Sequence, residues 1–441
     1  MAEGFLKQFE GFSKLKFNQR LEKLKELKYL SQKDINYLKL GSVSKNEKKR
    51  SDLVQCFIEN ALGYFPLPLG VATNFIINNK PYLIPMAVEE TSIIAAASKT
   101  ARWVCENGFI VTEVLNSHSI GQVQIPKVKN YSKLKKAIEE NFEEWKDKIN
   151  KKVLFSMFQR GGGLKSYQLR KLQRSDGNCM AVLHLFIETC EAMGANIINQ
   201  TCEYLKKPLE QVSKETVGLC ILSNLADRRM VKARIVLKNQ DSKLIQKIES
   251  ASLFAEIDPY RATTSNKGVL NGIDALLIAT GNDWRAVEAG LHAYATKTGS
   301  YSSLTKWRVH KKELHGEMKG PFMLGTVGGV TDIHPSSKLC LKILSYPRSQ
   351  ELAEICCALG LVQNLGALKA LVTEGIIEGH MRLHIKNMVL KTDVKNETEQ
   401  KQLEREIVKT LKKNKRITLS QATSILKKLR KKRKYINFHN T

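Results

Sequence analysis

Lys267 and Asp283 stand in a stretch, residues 256–283, where small, hydroxyl and amide residues separate a few charges: EIDPYRATTSNKGVLNGIDALLIATGND. A lysine surrounded by small residues can stabilise an oxyanion or act as an amine catalyst, and the aspartate could hold its charge. The alternative is an ordinary salt bridge in a loop. Because sixteen residues separate the two side chains, only tertiary folding could join them.

Glu89 and Glu90 follow a strand-like run and precede a nearly uncharged, helix-like run in MAVEETSIIAAAS. Apolar surroundings disfavour the charged form of a carboxyl group, and such a group can act as a proton donor. The alternative is an acid that complements the dipole at a helix N-terminus.

His380 and His384 in GHMRLHIKNM are spaced i, i+4 and would share one helix face. Two histidines supply at most half of a metal site, and the glutamate of an HExxH motif is missing between them. We therefore predict no metal site, and expect either a single catalytic histidine or a surface pair.

Gly194 in EAMGANIIN follows the strand-like run AVLHLFIET and stands at the start of a helix-like run. Exposed amides at a helix N-terminus suit a pyrophosphate. The G-x-G-x-x-G fingerprint of a Rossmann domain is absent, so this signal is weak by itself. The triple glycine at residues 161–163 is uninformative when taken singly.

The composition is that of an ordinary soluble globular protein, with 42% hydrophobic and 26% charged residues among 441. This length predicts two or three domains. No apolar run approaches the roughly 18 residues of a membrane span, and the N-terminus lacks a secretory signal, so we expect a cytoplasmic protein. The nine cysteines form no CxxC pair, which favours a reducing compartment over a disulfide framework.

The net charge of +28 would attract polyanions such as nucleic acid, anionic membrane or phosphate-bearing small molecules. Residues 391–441 hold a disproportionate share, with 16 Lys and Arg against 5 Asp and Glu. This tail predicts a solvated basic helix. A nucleic-acid contact is the alternative, but no recognition-helix motif or zinc-finger spacing supports it.

The order of segments indicates how the chain is organised. The first 50 residues predict lysine-rich helices that form a peripheral cap. NNKP predicts a turn between two strands, and SIIAAASKTARWV predicts a buried helix with Thr91 or Ser92 as its cap. Residues 111–214 alternate strand-like and helix-like pieces, which suggests an α/β insert. LAEICCALGLVQNLGALKALVTEGI predicts a core helix.

Six motifs occur in a specific order and spacing: ENALGYFPLPLGVATNF, PMAVEETSIIAAAS, EAMGANIINQ, ILSNLAD, DPYRATTSNKGVLNGIDALLIATGNDWRAVEAGLHAYA and VQNLGALKALVTEGIIEGHMRLH. Together they resemble class II, mostly prokaryotic, 3-hydroxy-3-methylglutaryl-coenzyme A (HMG-CoA) reductases over roughly residues 52–390. The first 50 residues and the tail match only loosely.

The resemblance implies an enzyme that reduces HMG-CoA to mevalonate and coenzyme A with two hydride transfers. It implies that Lys267 receives the oxygen that becomes negative, that Asp283 orients this lysine, and that Glu90 supplies protons. His380 would protonate the departing thiolate. The residues implied to grip the glutaryl carboxylate and hydroxyl are Ser92, Arg261, Thr264 and Asn271.

The resemblance also implies an α+β fold with a discontinuous large domain and a buried central helix. Residues 1–110 and 215–374 would bind HMG-CoA and form the dimer interface, near ENALG. Residues 111–214 would form an inserted ferredoxin-like dinucleotide domain, and residues 375–441 a C-terminal helical flap that carries His380. The expected assembly is a homodimer or higher even oligomer with shared sites, without a membrane or a specific nucleic acid as partner.

The dinucleotide diphosphate is expected beside four residues: Glu191, Met193, Gly194 and Asn196. Glu191 stands where many relatives carry aspartate. After the triple glycine, relatives that prefer NADH have an aspartate, whereas this chain has Lys165 and Ser166, followed by Arg170, Lys171 and Arg174. The loss of the carboxylate and the added cations favour a 2′-phosphate, so we expect NADPH, with NADH possible. NADPH would favour mevalonate synthesis, and NAD-dependent mevalonate breakdown is the alternative.

Overall fold

The computed structural model describes residues 2–39, 53–373, 385, 388–389, 391–414 and 417–439. They fall into two compact units, the first comprising Met1–Glu89 and Ile93–Leu368, the second Glu90–Ser92 and Lys369–Thr441. The strands are β1 (Leu69–Ile77), β2 (Lys80–Ala87), β3 (Gly108–Val114), β4 (His118–Ile125), β5 (Gly163–Gln173), β6 (Cys179–Glu188), β7 (Cys220–Ser223), β8 (Met230–Leu237), β9 (Thr305–His310) and β10 (Glu313–Pro321).

The helices surround and connect two sheets. They are α1 (Ala2–Gln8), α2 (Phe17–Glu26), α3 (Gln32–Lys39), α4 (Ile93–Asn107), α5 (Tyr131–Lys152), α6 (Phe155–Phe158), α7 (Ala195–Ser213), α8 (Ser242–Ile257), α9 (Pro259–Thr280), α10 (Trp284–Ala295), α11 (Val330–Ile333), α12 (Pro335–Ile343), α13 (Ser349–Val372), α14 (Glu397–Asn414) and α15 (Leu419–His439). The mixture of helices and sheets confirms the α+β class.

The larger sheet has six strands in the order β2-β1-β3-β8-β10-β9, of which only the β1–β3 pair is parallel. Asn78 and Asn79 join β1 to β2 with φ angles of 50° and 62°. Two consecutive positive φ angles suit a two-residue hairpin turn, and asparagine tolerates them, so the turn predicted from NNKP is confirmed. Helices α4, α9 and α8 pack against β1, β2 and β9 respectively.

Helix α13 is apolar around its whole circumference and forms much of the core of the first unit, as predicted for its alanine- and leucine-rich sequence. By length and composition alone it could cross a membrane, but 67% of its most apolar window is buried within the protein. A helix that is hydrophobic on all sides and mostly buried is the usual core helix of a large globular domain.

The smaller sheet is antiparallel, with the strand order β5-β6-β4-β7. The chain order β4-α5-β5-β6-α7-β7 on this sheet is the ferredoxin-like arrangement. Alternate residues of the strands, such as Leu183, Leu185 and Ile187, pack against α5 and α7 on one face of the sheet. The residues between them, His184 and Phe186, lie on the other face.

The lysine-rich N-terminal helices pack onto the first unit through an apolar cluster that joins Phe5 and Phe9 to Leu83 of β2 and Leu339 of α12. An ion pair between Asp34 and Lys342 adds to this contact. Their lysines project outward, so this segment is a cap with one buried face, as its helical leucine spacing predicts.

In the second unit, α14 and α15 pack together through apolar residues: Leu403, Ile407, Leu411, Ala422 and Leu426. Arg430 donates from Nε to Glu399 Oε1 at 2.7 Å and from Nη2 to Glu399 Oε2 at 3.1 Å. The basic tail is helical, as predicted, and one apolar face of α15 is packed against α14.

Candidate active site

The stretch that contains Lys267 forms a 22-residue helix, α9. Asp258 caps its N-terminus, with Oδ2 accepting from the Arg261 amide at 2.9 Å, and Pro259 fills the first turn. Gly281, with φ of 71°, ends the helix in the left-handed conformation. Lys267 therefore lies within a helix and not in a loop, which removes the loop salt bridge as an explanation.

Four predicted substrate and catalytic residues share one face of α9, because their spacings of 3, 3 and 4 residues match the helical period. They are Arg261, Thr264, Lys267 and Asn271. Thr264 and Lys267 are exposed in the single chain, whereas Arg261 and Asn271 are half-buried. Burial lowers the pKa of Arg261 from its usual value, although it stays protonated at neutral pH. This face, which we call the row on α9, carries hydrogen-bonding groups and two cations that suit an anionic ligand.

A buried polar network holds α9 in place. Asn266, next to Lys267, donates from Nδ2 to Ser302 O at 2.9 Å and accepts from the Leu304 amide at 2.9 Å. Asn364 of α13 donates to Ser265 Oγ at 3.2 Å. Because every partner is buried or half-buried, the row on the opposite face is presented by a rigid support.

Asp283 caps the N-terminus of α10. Its Oδ1 accepts from the Ala286 amide at 3.2 Å and lies 3.4 Å from Arg285 Nε. The preceding residue, Asn282, accepts from the Gly325 amide at 2.8 Å and fixes the turn. The carboxylate is therefore held in one orientation by the start of the helix it caps.

Within one chain, Lys267 and Asp283 lie at opposite ends of a helix segment. The thirteen residues from Lys267 to Thr280 rise about 1.5 Å each, or roughly 20 Å in all. Asp283 lies just after the C-terminal end of α9. Helix α10 then runs back along α9, and Asp274 of α9 contacts Glu288 of α10. A lysine and an aspartate side chain together cannot span this distance.

Asp274 and Glu288 form a carboxyl pair that the sequence did not lead us to select. Burial, together with the charge of Glu288, raises the pKa of Asp274 to about 8. Its Oδ1 is buried and accepts no hydrogen bond among the described residues. Two adjacent carboxyl groups cannot both ionise at low cost, so the pair holds a proton at neutral pH.

The loop before α7 contains the glycine at which a diphosphate is expected to bind. Gly194 has φ of 91°, and a Cβ atom there would lie 2.4 Å from Thr189 Cγ2, so only glycine fits. Asn196 in the first turn of α7 is exposed. Glu191 is engaged elsewhere: its Oε2 accepts from the Ser349 amide at 2.7 Å and from Thr326 Oγ1 at 3.2 Å.

Lys165 and Ser166 are exposed at the start of β5, where the strand register shifts in a β-bulge. Lys165 Nζ donates to Gly161 O at 2.7 Å and so lies over the glycine turn. Lys171 lies on the helix face of the sheet, 5.4 Å from the Tyr131 ring centroid. The remaining cations differ in setting: Arg170 is exposed, and Arg174 forms an ion pair with Asp176 at 2.7 Å.

Three predicted residues belong to the second unit or lie outside the described residues. Glu90 is exposed, and Ser92 is half-buried with a positive φ of 74°. His380, with its neighbour His384, lies outside the described residues. Within the described part of the chain, no group of three or more His, Cys, Asp or Glu side chains could hold a metal ion.

Comparison with known sequences identifies the family. Residues 16–385 match the family model described as hydroxymethylglutaryl-coenzyme A reductase. A 3-hydroxy-3-methylglutaryl-coenzyme A reductase from Archaeoglobus fulgidus is 38% identical over 95% of this chain and 94% of the relative. A probable reductase of the same kind from Borreliella burgdorferi is 33% identical over 87% of this chain and 89% of its own length.

Comparison with solved structures identifies the same family as the sequence comparisons. The class II 3-hydroxy-3-methylglutaryl-CoA reductase of Streptococcus pneumoniae bound to NADPH in open conformations superposes with a TM-score of 0.78 at 36% identity. The alignment covers 83% of this chain and all (100%) of that one. Another structure of the Streptococcus pneumoniae enzyme gives a TM-score of 0.79 at 35% identity over 96% of this chain and 99% of that one. The chain belongs to the hydroxymethylglutaryl-coenzyme A reductase family.

Proposed function

We propose that the chain reduces HMG-CoA to mevalonate and coenzyme A with two molecules of NADPH. The observation that carries this proposal is the row on α9, in which one rigid helix face presents an ammonium group, a guanidinium, a hydroxyl and an amide. This set suits a substrate with a carboxylate, a hydroxyl and a carbonyl oxygen that becomes negative. The same residues support the reverse reaction, mevalonate oxidation, which is the alternative direction.

Lys267 provides the charge that the reaction needs. When hydride adds to a thioester or an aldehyde carbonyl, the oxygen gains negative charge, and a fixed ammonium group lowers that energy. Arg261, Thr264 and Asn271 on the same face of α9, with Ser92, bind the carboxylate and hydroxyl of the glutaryl group. The half-buried guanidinium of Arg261 suits a carboxylate because it can donate two parallel hydrogen bonds.

Two of the remaining residues supply protons and one orients the lysine. Glu90 protonates the reduced oxygen, Asp283 orients Lys267, and His380 protonates the coenzyme A thiolate as it departs. A thiol is a better leaving group than a thiolate, so this last transfer promotes the breakdown of the thiohemiacetal, formed in the first reduction, to the aldehyde and the thiol. Each position carries the residue type that its role in the family requires.

The active site is shared between two chains of a homodimer or higher even oligomer. Asp283 cannot reach Lys267 of its own chain, so a lysine and aspartate that act together must come from different subunits. Large apolar residues beside the row, including Ile257 at 79% and Tyr260 at 87% exposure, support an interface there. Phe65, two residues after the ENALG segment, is also exposed, at 90%.

The residues around α7 and β5 fit a phosphorylated dinucleotide. Gly194 leaves the start of α7 without a side chain, so the first-turn amides and Asn196 can bind a diphosphate, with Met193 and Glu191 beside them. Lys165 and Ser166 present an ammonium and a hydroxyl for a 2′-phosphate. NADPH, when bound, supplies the hydride for each reduction.

We divide the chain into a substrate domain (1–110 and 215–374), a dinucleotide domain (111–214, whose sheet extends to Ser223) and a flap (375–441).

The expected location is the cytoplasm, and the proposal includes no membrane or specific nucleic-acid partner. In the tail, Arg430 is engaged by Glu399 through two hydrogen bonds. A gel shift that depends on salt, from a chain without reductase activity, would support nucleic-acid binding instead.

The proposal is tested by incubating the purified chain with HMG-CoA and either NADPH or NADH. We expect the loss of two reduced nicotinamides for each mevalonate formed, and a higher kcat/KM for NADPH than for NADH. No turnover in either direction would reject the proposed function. A higher kcat/KM for NADH would reject the cofactor preference alone.

Lys165→Ala tests how the 2′-phosphate is recognised. Removal of one charge-assisted hydrogen bond to a phosphate should lower kcat/KM for NADPH about tenfold. The value for NADH should stay within about twofold, because NADH lacks that phosphate. Lys171→Ala is the matched control on the same strand, since the ammonium group of Lys171 lies over the Tyr131 ring on the helix face of the sheet. Equal losses with NADPH and NADH in Lys165→Ala would contradict this assignment.

A further inference from the structure

Arg229 is a buried cation at the point where the chain passes from the smaller sheet to the larger one, between β7 and β8. Its exposed fraction is 6%. Burial lowers its pKa to about 10, so the guanidinium remains charged at neutral pH. A buried charge is costly unless it is well hydrogen-bonded, so its contacts should indicate why it is kept.

The guanidinium contacts oxygen atoms in two segments, one that follows β6 and one that follows β10. Nη1 lies 3.1 Å from Thr189 Oγ1, 3.4 Å from Met193 O and 3.5 Å from Ala192 O. Nη2 donates to Leu324 O, in the segment after β10, at 2.6 Å. Arg229 thus ties the loop before α7 to a segment that follows the larger sheet.

All the oxygens that accept from Arg229 among the described residues are uncharged. The nearest carboxylates are engaged elsewhere: Glu191 by the Ser349 amide, and Glu188 by the Cys190 amide at 2.9 Å. They raise the pKa of Arg229 through space without a direct ion pair. The cation therefore has part of its charge left to attract an anion bound nearby.

The orientation of the loop follows from these contacts. In a trans peptide, the C=O and the next N–H point in opposite directions. Because the carbonyls of Ala192 and Met193 point towards Arg229, the amides of Met193 and Gly194 point away from it. Gly194 in turn starts α7, where the diphosphate is proposed to bind.

We propose that Arg229 is a positioning residue for the dinucleotide, which fixes the loop 189–194 against Leu324 and adds positive charge beneath the diphosphate. This inference rests on the proposed function, since it requires a dinucleotide at the start of α7. Arg229 does not itself touch the reacting atoms. Its loss should therefore weaken cofactor binding far more than turnover or binding of HMG-CoA.

Arg229→Lys keeps the charge and loses the planar fork of donors. We expect KM for NADPH to rise about tenfold, with kcat and KM for HMG-CoA within about twofold of the wild type. Thr189→Val removes one partner of the guanidinium without burying a new charge, and should raise KM for NADPH about threefold. Arg234→Met, an exposed arginine on β8, is the matched control and should change neither KM.

Direct titration with NADPH separates the possible outcomes. A wild-type chain that does not bind NADPH refutes the proposed function and this inference with it. A wild-type chain that binds NADPH, with Thr189→Val and Arg229→Lys binding equally well, refutes the inference alone. Equal increases in KM for NADPH and HMG-CoA also overturn it, because they indicate a general structural role. If Arg229→Lys does not fold, Thr189→Val decides between these outcomes.

Discussion

Lys267→Ala should abolish reduction of HMG-CoA, with kcat falling by at least about 10³-fold. In the proposed mechanism, the ammonium group is the fixed positive charge that receives the carbonyl oxygen in both hydride transfers. Without that ammonium group, the negative charge that develops on the carbonyl oxygen would be poorly stabilised, because Arg261 is assigned to the carboxylate. The measurement is the rate of NADPH oxidation at saturating HMG-CoA, together with the melting temperature of each variant.

The fold should survive this change. Lys267 is exposed on α9, and alanine has the highest helix propensity, so the expected change in the free energy of unfolding is within about 0.5 kcal/mol. Lys247→Ala on α8 is the control, because it removes another exposed helical lysine and should leave kcat unchanged. A folded Lys267→Ala enzyme with more than about a tenth of wild-type kcat would contradict the assigned role.

Asp283→Asn should lower kcat by about 10²-fold or more. Asparagine caps a helix about as well as aspartate, so the hydrogen bond from the Ala286 amide and the start of α10 should be kept. The substitution removes only the negative charge that is proposed to hold Lys267 in position. KM for HMG-CoA should change little, because Asp283 is not placed against the glutaryl group.

Asp241→Asn provides a closely matched control. Asp241 caps α8 by accepting from the Lys243 amide at 2.7 Å, so the same substitution is made in the same local structure. Its kcat should equal that of the wild type. If both variants lose activity equally, the effect comes from helix capping and the catalytic role of Asp283 is contradicted.

The sequence predicted much of the fold because local signals agreed with it. The asparagine pair before Lys80, the strand and helix runs of the ferredoxin-like sheet, and the apolar α13 are all where their patterns indicate. Helix α9 was missed. It is buried on most sides, so its apolar residues do not follow a single helical stripe. The capping residues Asp258 and Gly281 were the signals that could have revealed it.

The candidate site was predictable in its residue types but not in its geometry. Spacing alone could not show that Lys267 and Asp283 lie roughly 20 Å apart along one chain, since that depends on the unbroken course of α9. Nor could it show that the carboxylate of Glu191 contacts the Ser349 amide. The pKa values of Arg229 and Asp274 are shifted by burial, and burial arises only from tertiary packing. An ionisable residue within an apolar run, such as Asp274 in NGIDALLIA, is nevertheless a usable sequence signal.

The most direct test of the shared active site combines the two inactive variants. In a dimer of one Lys267→Ala chain and one Asp283→Asn chain, one site has both substitutions and the other has neither, provided that lysine and aspartate come from different chains. Random mixing during coexpression should then restore roughly a quarter of the wild-type rate, because half of the dimers are mixed and each has one intact site. If mixed dimers form but the rate stays at the level of the two parents, each site draws both residues from one chain, and the account is contradicted.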